Sequence, residues 1–210
     1  FFFFKNSYAC WYQTVPALER ALTEVNQYND KTFNKSFSIL DIAKKAGYET
    51  YWFSNQGYVG SVDTPITLIA NTADHATWTK QELNKKQYDG TLLDYLATVD
   101  PNKNNFIIFH FMGSHDNFQT RYPEEFTIWG TPGKYHLIDN YDNSLAYTDY
   151  LLKEIYTYAT EHLNLQSLVY FSDHSTVPDK RRQPNFTDFL TVRIPMFVYL
   201  SDTYQKTHPD

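Results

Sequence analysis

The sequence predicts an α/β fold, a doubly wound and mostly parallel sheet flanked by helices, and three observations carry that prediction. Apolar runs of strand length alternate with helical patterns along the chain. Gly, Pro and Asn punctuate the junctions between them. A polar cluster follows directly after each of three apolar runs, at Asn55-Gln56, at Gly113-Ser114-His115 and at Asp173-His174. Ligands of open α/β sheets collect beyond the carboxyl ends of the strands, so these clusters are the first candidates for a site.

The elements follow in order. Residues 16–26 read as an early helix with proline in its first turn. Residues 37–46 (FSILDIAKKA) place Ile39, Ile42 and Ala46 on one helical face, with Ser36 or Ser38 as N-cap and Gly47 as the stop. Residues 49–54 (ETYWFS) are rich in β-formers and end at the turn signal Asn55-Gln56-Gly57. Residues 89–99 predict a helix on Leu92, Leu93, Leu96 and Val99, closed by Asp100-Pro101. Residues 105–112 (NFIIFHFM) form an apolar run ending at Gly113, the pattern of a central strand buried on both faces. A long helix is expected over 137–163, with Leu145, Leu152, Ile155 and Tyr156 among its buried positions. Residues 168–172 (LVYFS) are the next buried strand and 196–200 (MFVYL) the last. With neither repeats nor a low-complexity linker, residues 1–210 are expected to form a single domain.

Composition narrows the function classes. Hydrophobic residues make up 42% of the chain and aromatics 18%, too apolar for a disordered polypeptide. The 18 Tyr and 16 Phe are expected to pack the core and to line an amphipathic surface. With 24 acidic against 18 basic residues the net charge is -6, and the longest basic run is Lys180-Arg181-Arg182. That leaves no electrostatic footprint for nucleic acid. No apolar stretch approaches the roughly 20 residues that span a bilayer. The chain starts without Met, so an excerpt of a longer protein is expected, with membrane or targeting segments outside it. The one cysteine, Cys10, excludes an intrachain disulfide and a cysteine-cluster metal site.

Asp173-His174 pairs a carboxylate with an imidazole at a strand end, and both are ligand types for a divalent cation. A helix cap beside a surface histidine is the alternative. His115 is placed to orient or protonate a phosphoryl oxygen or a leaving group, or else is a hydrogen-bonded loop histidine. His110, inside its strand, reads as a satisfied core residue. Asp139, Asn140, Asp142 and Asn143 fit helix capping and the N-terminal dipole at the start of the long helix. Arg121 offers either a bidentate grip on phosphate or an ordinary ion pair. Lys180-Arg181-Arg182 is either a solvated face or an anion contact.

Several segments, in order, resemble the phosphoethanolamine transferases of the sulfatase and alkaline-phosphatase superfamily. They are residues 45–56 (KAGYETYWFSNQ), 109–115 (FHFMGSH), 121–123 (RYP), 141–144 (YDNS), 147–149 (YTD), 170–174 (YFSDH) and 193–196 (RIPM). Order and spacing hold from about residue 6 to 204. The resemblance implies the C-terminal part of an alkaline-phosphatase/sulfatase-like domain lacking its N-terminal portion. It implies a membrane-anchored enzyme of the cell envelope whose catalytic domain faces the periplasm or exterior. Such enzymes move phosphoethanolamine from phosphatidylethanolamine to lipid A or another surface glycan, through a threonine activated by Zn2+.

By this resemblance Asp173 and His174 are metal ligands and His115 is a substrate-side histidine; Asn55, at a strand end, and Arg121 are further expected to bind substrate. Thr14 is the nearest hydroxyl for the nucleophile, although Trp11 and Tyr12 stand where relatives place that threonine. Ser175 replaces the glycine that follows the Asp-His pair, Arg181 and Arg182 stand where a further histidine is expected, and a metal-binding glutamate would lie upstream. The opposing expectation is a degenerate sulfatase-like module that binds an anionic head group or partner without turnover.

Overall fold

The computed structural model describes residues 1–56, 64–79, 87–178 and 189–209. These form two compact units, one of residues 1–38 and 159–210, the other of residues 39–158.

The second unit is built on a parallel sheet. Strand β3 (Glu49–Ser54) lies between β4 (His75–Trp78) and β5 (Asn105–His110), and pairs with both in parallel. β3 is the central strand and is buried almost throughout, with Tyr51, Trp52 and Phe53 in the core. The run expected to be central, β5, is half-buried along its length and ends at His110. The 105–112 run is the more apolar of the two, yet the mixed run at 49–54 is the central strand, so apolarity alone does not tell a central from a flanking strand.

Helix α2 (Ile39–Lys45) leads into β3, and Gly47 at positive φ closes it as expected. Its buried face, however, is Leu40 and Ala43, while Ile42 is exposed. The observed stripe is therefore rotated from the expected one by about one residue, or roughly 100°. Helix α3 (Pro65–Ala70) joins β3 to β4; Thr64 caps it by accepting from the Thr67 amide, and Pro65 occupies the first turn. The helix expected at 89–99 is a 3-10 helix, Asp89–Thr98, that buries Leu92 and Leu96.

Helix α4 (Leu137–His162) runs 26 residues, starting in this unit and ending in the other. Its buried stripe is Asn140, Asn143, Ser144, Tyr147, Leu151, Ile155 and Ala159, with helical spacing. Ile155 is buried as expected, but Leu145 is exposed. The phase is set by buried polar residues in the first half of the helix, which a search for apolar positions passes over. Tyr122 and Asn143 explain how those amides are accommodated. Asn143 accepts from the Ile128 and Trp129 amides at 2.9 and 3.0 Å, and donates to the Trp129 carbonyl and to the Tyr122 hydroxyl.

In the first unit, helix α1 (Thr14–Leu22) buries Ala17, Leu18 and Leu22. Its strands pair antiparallel. β8 (Met196–Leu200) lies between β1 (Phe2–Phe3) and β6 (Ser167–Phe171), and β2 (Ser7–Tyr8) pairs with β7 (Arg193–Ile194). Val169 on β6 is exposed, so this strand presents one face to solvent. A short C-terminal helix, α5 (Asp202–Thr207), is capped by the Ser201 hydroxyl, which accepts from the Tyr204 amide.

Candidate functional site

Two strand ends carry the expected site residues, one in each unit. At the end of β5 the chain turns through Met112-Gly113-Ser114-His115-Asp116, with Gly113 at φ +57, a region that glycine enters without steric cost. This turn is held from many directions. The Phe111 carbonyl accepts from Gln56 Nε2 at 2.7 Å. The amides of Met112 and Gly113 each donate to one oxygen of Asp89, both at 2.8 Å. The hydroxyls of Ser114 and Ser144 lie 2.8 Å apart. The Arg121 guanidinium donates to the carbonyls of His115 and Asp116, its shortest bond being 2.7 Å from Nη2. Through these contacts the main chain around His115 is fixed, while the His115 residue itself is exposed.

Asp89 is the residue that sequence reasoning misses. It is only 3% exposed, at the first position of the 3-10 helix, and in the sequence it reads as the ordinary start of a helix. Besides the two amides it accepts from Asn55 Nδ2 at 2.8 Å. Burial pushes its pKa up, while the Met112, Gly113 and Asn55 donors and the Arg121 charge pull the other way. Behind it, Asn55 is 1% exposed and also donates to the Gln87 carbonyl, while its own carbonyl accepts from Thr79 Oγ1. The next residue, Gly90, donates its amide to the Tyr147 hydroxyl, and a Cβ there would collide with that oxygen. The sequence signal available for Asp89 is the Asp-Gly pair ahead of an apolar periodic run, a pattern that capping explains equally well.

Asn55 and Arg121, expected to bind substrate, are thus engaged by protein groups. Burial holds the Arg121 guanidinium pKa below its ordinary value, against the opposing pull of Asp89 and Asp116. Each shapes the His115 turn, Arg121 directly and Asn55 through Asp89.

At the end of β6, in the other unit, Asp173 and His174 are adjacent and largely enclosed, with side chains 23% and 10% exposed. Ser172 Oγ donates to the His174 carbonyl at 2.6 Å, and the His174 amide donates to Asp173 Oδ1 at 3.0 Å. His174 Nδ1 lies 3.0 Å from the Ser175 carbonyl. A carbonyl only accepts, so Nδ1 carries a proton, and Nε2 is an acceptor when the ring is neutral and a second donor to Asp173 when it is charged. Nε2 lies 3.6 Å from Asp173 Oδ2. Two acceptors facing each other at that distance fit a shared cation, and an imidazole oriented through its second nitrogen is the usual arrangement of a metal ligand. Among the described residues no group of three or more His, Cys, Asp or Glu is placed to hold a metal. The described residues therefore supply two ligand candidates here.

Thr14 opens α1, whose N-cap residue Gln13 makes no side-chain capping bond. The Lys180-Arg181-Arg182 run lies outside the described residues.

The sulfatase family model matches residues 1–210. The chain belongs to the sulfatase family. It is 30% identical, over 93% of its length, to the phosphoethanolamine transferase EptC of Escherichia coli, and spans 38% of that relative. The crystal structure of the C-terminal periplasmic domain of the Escherichia coli protein superposes with a TM-score of 0.84 at 27% identity, covering 99% of this chain and 64% of that domain. The complex of that domain with Zn superposes equally well, at 26% identity. The α/β class and the phosphoethanolamine-transferase resemblance expected from the motifs both hold. Among the described residues no helix is long and apolar enough to cross a membrane.

Proposed function

We propose that this sulfatase-family chain is part of the catalytic domain of a phosphoethanolamine transferase of the cell envelope, working at the periplasmic or exterior face of a membrane. The donor is phosphatidylethanolamine and the acceptor is lipid A or another surface glycan. The observation that carries the reading is the Asp173-His174 pair, whose ring is locked by Ser175 so that Nε2 faces the carboxylate. Such a donor set suits Zn2+, which when bound supplies Lewis acidity toward a phosphoryl oxygen. The 30% identity to a phosphoethanolamine transferase and the Zn complex of a similar domain support it.

Thr14 is the nucleophile in this reading. Its Oγ, deprotonated to the alkoxide, attacks phosphorus, the bond from phosphorus to the diacylglycerol oxygen breaks, and phosphoethanolamine is left on Thr14. The acceptor hydroxyl then attacks the same phosphorus and the bond to Thr14 Oγ breaks. The first turn of α1 favours negative charge on that oxygen, because its leading amides lack intrahelical partners. His115 keeps in this reading the role of a substrate-side histidine suited to proton transfer.

The test is turnover of a fluorescent phosphatidylethanolamine analogue in mixed micelles by Zn-loaded protein, with intact-mass detection of phosphoethanolamine on Thr14. Release of labelled diacylglycerol, abolished in Thr14→Ala, is the expected result. Saturable binding of the analogue with no turnover by the metal-loaded protein would replace this reading with the degenerate binding module.

A further inference from the structure

Resting on that reading, we infer that Asp89 is a positioning residue: a buried carboxylate that anchors the Met112–Gly113 turn and thereby sets where the His115 imidazole stands. Both Asp89 oxygens are used on this turn, one for each successive amide. An amide pair held by one carboxylate has its peptide plane fixed, and Gly113 is the residue that lets the chain take the bend. His115 is only two residues farther on, and Arg121 Nε donates to its carbonyl at 3.2 Å.

The anchor is itself over-determined. Asn55 donates to Asp89 and is fixed in turn by Gln87 and Thr79, so the chain at 55, at 79 and at 87–89 must agree on the carboxylate position. Burying a carboxylate opposes folding unless its lone pairs are satisfied. A hydrophobic side chain in this space would fill it without that demand. A carboxylate here accounts for the two aligned amides; packing alone does not. Asp89 stays within the protein, so its role is to act through His115.

The decisive variant is Asp89→Asn, which preserves shape but turns one acceptor into an NH2 group facing an amide donor. Two readouts are independent of any activity. Hydrogen exchange at the Met112 and Gly113 amides is expected to accelerate by about tenfold or more in the variant, while the amides of β3 stay protected. The imidazole resonances of His115 are expected to shift or broaden. The inference fails if the two amides keep their protection or if the His115 resonances are unchanged.

Activity gives the functional half of the test. Misplacement of a catalytic group by about 1 Å costs on the order of 100-fold in rate. Asp89→Asn is therefore expected to lower kcat by about 10- to 100-fold per folded molecule, with KM for the phosphatidylethanolamine analogue little changed. In a His115→Ala background the same substitution is expected to cost almost nothing further. An equal loss with and without His115 would show a general structural effect and overturn the positioning role. An inactive wild type would instead sink the transferase reading, and the exchange and resonance measurements would still decide whether Asp89 places His115.

Discussion

The turn after β5 and the turn after β6 are built from the same materials and held in opposite ways. Each follows an apolar strand and joins a carboxylate with a histidine, Asp89 with His115 in one unit and Asp173 with His174 in the other. Asp89 is buried and has donors from Asn55, Met112 and Gly113 on its two oxygens. Asp173 accepts the amide of its own neighbour, and its second oxygen faces an imidazole nitrogen. The first carboxylate is taken up by one side-chain and two main-chain donors; the outer oxygen of the second faces an imidazole nitrogen, the arrangement proposed to receive a cation. A carboxylate that organises a loop and one proposed to bind a cation differ in what their oxygens face.

The largest expected effect separates the two. Asp173→Ala removes one of two ligand candidates, so Zn2+ affinity should fall by more than the roughly 10- to 100-fold typical of losing a mere supporting partner of a ligand. Stability of the metal-free protein should change by about 1 kcal/mol or less, the worth of the one amide bond that Asp173 accepts. Metal content by mass spectrometry and urea unfolding of the apo form check both halves. A large loss of apo stability would mean that Asp173 is structural, as Asp89 is, and the contrast would collapse.

The next effect lies behind the first turn. Asn55→Ala strips Asp89 of a donor and leaves the Thr79 hydroxyl and the Gln87 carbonyl without this partner. A buried polar group left unsatisfied costs about 1–3 kcal/mol, so a total of about 3 kcal/mol is expected in chemical denaturation. Zn2+ affinity should not move. A cost below about 1 kcal/mol would show that the network is replaceable by water.

A smaller and more local effect comes from Gly90. Its amide donates to the Tyr147 hydroxyl at 3.1 Å, and Gly90→Ala drives a methyl group into that oxygen. Overpacking of this kind costs about 1–3 kcal/mol. Tyr147→Phe removes the colliding atom, so the double variant should be more stable than the sum of the two single losses predicts. Strict additivity in thermal unfolding would show that the two groups are not in contact.

How much of this is legible in the sequence differs between the same two regions. The β3 run and the strand at 196–200 are readable from their β-forming residues, and the long helix from its length of helical spacing. Their environment is not: periodicity gives a strand's existence, while its neighbours are fixed by long-range pairing, so the sequence points to β5 as the central strand that β3 is. The stripe of α4 is misphased at Leu145 because its first half buries Asn140, Asn143 and Ser144, and apolar periodicity ignores polar residues whose burial is offset by hydrogen bonds. Asp173-His174 is legible as a strand-end pair because its chemistry is local. Asp89 is not, since its meaning depends on Asn55, Met112 and Gly113, which reach it only when the chain is folded.

The smallest effect compares carboxylates within one unit and reads their signs. Asp74 precedes β4, where its Oδ2 accepts from the Thr50 amide and hydroxyl and its Oδ1 pairs with Lys44 at 3.0 Å. Partial burial works against the charge, but the Lys44 and Thr50 donors prevail and bring the pKa from 3.8 to about 2. A depressed pKa contributes stability that is complete above 3.8 and is lost as the pH falls toward 2. Asp89 has the opposite sign: burial raises its pKa above 3.8, so its contribution declines as the pH rises through the range above that value. The two windows meet near 3.8 and do not overlap. Asp74→Asn should therefore flatten the acid limb of a stability-pH curve between about 4 and about 2 and leave the slope above that range as it was. The amplitude should be under about 1 kcal/mol, because the pair with Lys44 is partly exposed to solvent. Urea midpoints from about pH 2 to about pH 6 at fixed ionic strength measure it. Parallel acid limbs in the wild type and the variant would show that the Thr50–Asp74–Lys44 network does not form in solution, and the slope at higher pH would still report the buried carboxylate.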